Sequence, residues 1–105
     1  MQDRDMSLTL RALDAVRGRP AADLPVRLDR YDGNTWQAVE EGATGGAGEI
    51  VFPVAEAGLY RARAAAGQYF TTKFPEIQVI FEFTPGDRIE LQVTPAGYTT
   101  CLVTP

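Results

Sequence analysis

The chain has 105 residues, 45% hydrophobic and 23% charged, a length that supports one modest core and predicts a single domain over 1–105. Ten Lys and Arg against fourteen Asp and Glu leave a formal charge of −4, which argues against nucleic acid or an anionic membrane as partner. Histidine is absent, removing the usual neutral-pH general base and the imidazole ligands of most catalytic zinc and iron sites, so neither metal nor cofactor is predicted.

Met1 to Met6 (MQDRDM) is polar, with no apolar stretch behind it, and reads as a flexible tail without a signal peptide. No apolar run approaches the roughly 20 residues of a membrane helix. A single cysteine, Cys101, excludes an internal disulfide and fits a reducing compartment, so a cytoplasmic protein is expected. From there period-2 alternation dominates. Leu8, Leu10 and Ala12 point one way, with Thr9, Arg11 and Leu13 opposite. A Gly-Arg-Pro corner follows, then Val26 and Leu28 alternate with Arg27 and Asp29. The DGN turn at Asp32–Asn34 leads to a short strand around Trp36–Val39, and the glycine-rich TGGAGE leads to Ile50–Val54. TGGAGE lacks the lysine and following helix of a phosphate loop, so no nucleotide role is assigned to it. Tyr60, Ala62 and Ala64 alternate with Arg61 and Arg63, and Ala64–Tyr69 is the one short helix candidate. Ile77 to Phe83, Arg88 to Val93 after a PGD turn, and Tyr98 to Val103 complete seven or eight strands. Trp36 and Tyr60 are assigned to the core. The pattern predicts an all-β antiparallel sandwich.

LTLRALDAVRGRPAADLPVRL, TGGAGE, GLYRARA, FPEIQVIFEF and PAGYTT, in that order, resemble the transthyretin and hydroxyisourate hydrolase family over nearly the whole chain. The resemblance implies two four-stranded sheets and a homotetramer, a dimer of dimers enclosing a central channel. The first, seventh and eighth strands line that channel. Their second faces carry Thr9, Arg11 and Leu13, then Arg88, Glu90 and Gln92, then Thr99, Cys101 and Val103, with Glu49 at the mouth. The same resemblance places a histidine of the hydrolases where this chain has Arg11, an arginine where it has Glu49, and a second histidine where it has Arg88. Their Tyr-Arg-Gly-Ser ending is replaced by Cys101-Leu102-Val103-Thr104. These departures argue against ordinary hydroxyisourate hydrolysis. Arg11 and Glu49 instead resemble the carrier branch, although Glu90 and Gln92 make the seventh strand too polar for an apolar hormone.

Two functions therefore stay open. One is a binding protein whose channel holds a small polar or anionic molecule through Arg11 and Arg88, with Gln92, Thr9, Leu13, Thr99 and Val103 around it. The other is a repurposed enzyme, a hydrolase, cyclase or isomerase acting on a small heterocycle or lactone-like substrate, as in a biosynthetic pathway. There Glu49 or Glu90 moves protons, the arginines stabilise negative charge, and the channel-facing Cys101 is a further catalytic candidate, as a nucleophile. Each residue also has a plainer reading. Arg11 and Glu49 form a wet ion pair, Glu90 is a solvated side chain, and Cys101 is a packing residue with no histidine to activate its thiol. A purely structural paralogue is the third and weakest reading.

Overall fold

The computed structural model describes residues 7–53 and 56–105; the polar stretch Met1–Met6 and Val54 lie outside the described residues. Among the described residues nine strands run β1 (Leu8–Asp14), β2 (Arg19–Pro20), β3 (Pro25–Tyr31), β4 (Trp36–Ala43), β5 (Glu49–Phe52), β6 (Gly58–Ala64), β7 (Ile77–Phe83), β8 (Arg88–Thr94) and β9 (Gly97–Val103). They form two sheets, ordered β2-β1-β8-β9 with β5 also on β1, and β4-β3-β6-β7. Alternation explains the packing between them. Leu8, Leu10, Ala12, Ile89, Leu91 and Val93 of the first sheet meet Val26, Leu28, Tyr60, Ala62, Phe81 and Phe83 of the second, all buried.

The sandwich agrees with expectation, with three differences. The ladder between β1 and β8 is parallel, joining Thr9 to Arg88 and Asp14 to Val93, whereas the other ladders are antiparallel. The ninth strand is the two-residue β2, which closes the Gly-Arg-Pro corner back onto Leu13 and Asp14. The helix candidate shrinks to a single 3₁₀ turn, Ala66–Gln68, because Ala64 belongs to β6 and is buried opposite Ile77. Tyr60 is core as predicted, but Trp36 is only half-buried and sits outside the core against Tyr31 and Arg61. No described helix is long and apolar enough to cross a membrane.

Two glycine turns fix the edge of β1. Gly18, at φ +68°, donates its N–H to Asp14 O and completes the corner. Gly48, at φ +76°, brings the TGGAGE turn so close that a Cβ there would stand 2.5 Å from Ala12 O. Its own carbonyl accepts the Ala12 N–H at 2.8 Å, between the stretch of β1 paired with β5 and the stretch paired with β2.

Candidate functional site

The outward face of the first sheet is built in rows, because residues paired across a ladder project to the same side. One row reads Val51, Thr9, Arg88, Val103; the next reads Glu49, Arg11, Glu90, Cys101; the third reads Leu13, Gln92, Thr99. All ten residues singled out in the sequence thus share one face. Their burial alternates with the core residues between them: Ile89, Leu91 and Val93 are buried, while Arg88 and Gln92 are exposed and Glu90 is partly so.

The charges on this face are loosely paired. Arg11 Nε lies 4.0 Å from Glu49 Oε2, with side chains 58% and 45% exposed. Arg88 Nη2 lies 3.6 Å from Glu90 Oε2. Exposed pairs of that kind stabilise a fold by only about 0–1 kcal/mol. Neither pair is locked, so both guanidiniums can change partners. Arg11, Leu13, Glu90, Leu91 and Gln92 border a small depression of about 170 Å³. The exposed thiol of Cys101 stands across the ladder from Glu90.

Beneath the end of β1 lies a group that the alternation did not single out. Asp14 is fully buried. Its Oδ1 accepts the backbone N–H groups of Val16 and Arg17, both at 3.0 Å. Its Oδ2 accepts Arg17 Nη1 at 2.8 Å and the Tyr69 hydroxyl at 3.0 Å. Burial pushes this carboxyl up, but the bonds from Arg17, Tyr69 and Val16 outweigh burial and hold it at about 2. The charged carboxylate therefore pins the corner and the 3₁₀ turn to β1. The Asp in the DAVRG corner is the sequence signal for the N–H contacts; Tyr69 is 55 residues away and gave none. Val51, which extends the first row, was also missed.

A family model for the HIUase/Transthyretin family matches residues 8–101. The 5-hydroxyisourate hydrolase of Deinococcus radiodurans is 32% identical over 109 residues, spanning 89% of this chain and 92% of that one. The 5-hydroxyisourate hydrolase of Salmonella typhimurium is 32% identical over 105 residues, spanning 89% of this chain and 77% of that one. Among solved structures, sea bream transthyretin in complex with thyroxine superposes with a TM-score of 0.84 at 27% identity, covering 93% of this chain and 95% of that one.

Proposed function

Because this chain belongs to the transthyretin and hydroxyisourate hydrolase family, we propose that it works as a homotetramer whose central channel holds a small polar or anionic organic molecule. The observation that carries this reading is the row Glu49, Arg11, Glu90, Cys101 with Arg88 beside it: two exposed, loosely paired guanidiniums on a face with no core to build. Strand β9 supports the assembly, since residues on both of its faces are exposed, including Tyr98 and Leu102. β7 and β9 each end a sheet, and bare strand edges invite pairing with another chain. Two dimers joined in that way face each other across the Arg11 side. Low-dielectric walls strengthen charge interactions in such a slot, and a guanidinium grips a carboxylate or enolate with two hydrogen bonds. A free, exposed Cys101 suits the cytoplasmic setting of this reading.

The second reading is an enzyme on the same scaffold. It is favoured by the relatives named 5-hydroxyisourate hydrolase and by Glu90, partly exposed between Arg11 and Arg88. In it Glu90 or Glu49 exchanges protons with a small heterocycle or lactone, and the two arginines stabilise the negative charge that develops. Cys101 is the nearest nucleophile to Glu90 on this face.

Hydroxyisourate tests the assignment of roles that both readings share. Its ultraviolet signal is expected to decay in the presence of the protein at the spontaneous rate. Turnover within roughly tenfold of a typical enzyme rate of about 10 per second would overturn the assignment of roles on this face. Native mass spectrometry is expected to report four chains with a small molecule retained. A monomer at micromolar concentration would remove the channel and the proposal with it.

A further inference from the structure

We infer that the outer face of the second sheet holds a separate site for a small zwitterion, a molecule carrying a carboxylate and an ammonium on an apolar body. The cavity there measures about 590 Å³ and is bordered by Pro25, Arg27, Glu41, Arg63, Gln68 and Glu76. Its size falls in the range of small-molecule sites, unlike the 170 Å³ depression beside Arg11.

The charges form a row across all four strands. Glu41 faces Arg27, Arg27 faces Arg63, and Arg63 faces Gln78, whose Nε2 donates to Glu76 Oε2 at 2.7 Å. Two guanidiniums thus stand directly opposite each other in the ladder, an arrangement that costs stability unless an anion lies between them. Each guanidinium has one carboxylate partner, and no acid is paired across the ladder between them. Arg27 Nε is 3.6 Å from Glu41 Oε1, and both side chains are more than half exposed. Arg63 Nε is 3.0 Å from Asp29 Oδ2, yet its N–H misses the hydrogen-bond direction and stays buried without an acceptor. That oxygen already accepts Arg61 Nε at 2.9 Å.

A carboxylate seated between Arg27 and Arg63 accepts from the terminal N–H groups of both, with the fork geometry that guanidiniums favour. The acids at the ends of the row, Glu41 and Glu76, then select for a positive group on the same molecule and against a plain anion. Pro25 and Ala65 offer the apolar contact.

L-phenylalanine is the test probe, with 3-phenylpropionate and phenethylamine as its two singly charged counterparts. Ionic strength is held constant with sodium chloride, and the backbone amide signals of Gly42, Ala65 and Gln68 are followed by NMR. Saturable shifts are expected with phenylalanine, and binding weaker by roughly tenfold or more for each counterpart. Arg27→Gln, at an exposed position that leaves the core intact, is expected to weaken binding to a similar degree, as is Arg63→Gln. Arg88→Ala, on the opposite sheet, should leave these shifts unchanged. Shifts that never saturate, that survive Arg27→Gln, or that 3-phenylpropionate reproduces at equal concentration overturn the inference.

Discussion

The outward face of the second sheet carries a tight charge cluster that the first lacks, beside a loose pair of its own, Arg27–Glu41. On the first, Arg11 and Arg88 reach their glutamates at 4.0 and 3.6 Å, from side chains at least half exposed. On the second, Asp29 is 2% exposed, holds Arg61 at 2.9 Å and lies 3.0 Å from Arg63. The Trp36 ring covers the Arg61 guanidinium at 4.6 Å. Identical residue types therefore do different work. A desolvated carboxylate under two arginines is architecture, because every partner it loses leaves a charge without compensation. A wet pair can exchange its partner for a ligand at little cost.

The largest expected effect breaks the tight cluster. Asp29→Ala strands Arg61 and Arg63, whose side chains are 19% and 21% exposed, and is expected to lower stability by roughly 3 kcal/mol in urea titrations. A loss under about 1 kcal/mol would place the cluster with the loose pairs.

Asp14 offers the first sheet's own tight carboxylate for comparison. Its fall from 3.8 to about 2 corresponds to roughly 2 kcal/mol. Since the folded value lies below the unfolded one, that stability is complete above about pH 4 and drains away as pH falls towards about 2. The urea midpoints of wild type and Asp14→Asn should therefore converge across that interval; a constant gap would mean that the carboxyl does not titrate as described.

The smallest effects on stability belong to the wet pairs. Arg11→Ala and Arg88→Ala are expected to shift unfolding by no more than about 1 kcal/mol while abolishing binding in the channel. Full binding by both variants would move the site off this face. Glu90→Gln then divides the two functions: a carrier keeps most of its affinity, whereas an enzyme using Glu90 as acid or base loses about 10²–10⁴-fold in rate.

Alternation made the strands and the face of β1 readable, because a period of two encodes which side each residue takes. For that reason Thr9, Arg11 and Leu13 come to lie beside Arg88, Glu90 and Gln92 as the strand phases implied. Direction was not legible in the same way: nothing local distinguishes the parallel β1–β8 ladder from an antiparallel one. Asp29 reads as an outward charge and does face outward, but its burial depends on Arg61, 32 residues away. A register shift between Leu28 and Asp29 changes how β3 meets β4, and with it the surroundings of Trp36. Short-range pattern thus located the faces, while the partners that decide between a wet pair and a buried one came from distant chain.

The parallel pairing of β1 with β8 also sets a timetable. Thr9 and Arg88 are roughly eighty positions apart, so their ladder closes a loop of most of the chain before it returns any stabilisation. Such non-local pairing is expected to slow folding into the millisecond-to-second range. The rows that carry Arg11, Glu90 and Cys101 come into being only at that closing step, when the beginning of the chain meets its end. A nascent chain lacking β8 and β9 lacks the Arg88, Glu90 and Cys101 part of this face, and a molecule held on the finished face keeps β1 and β8 together.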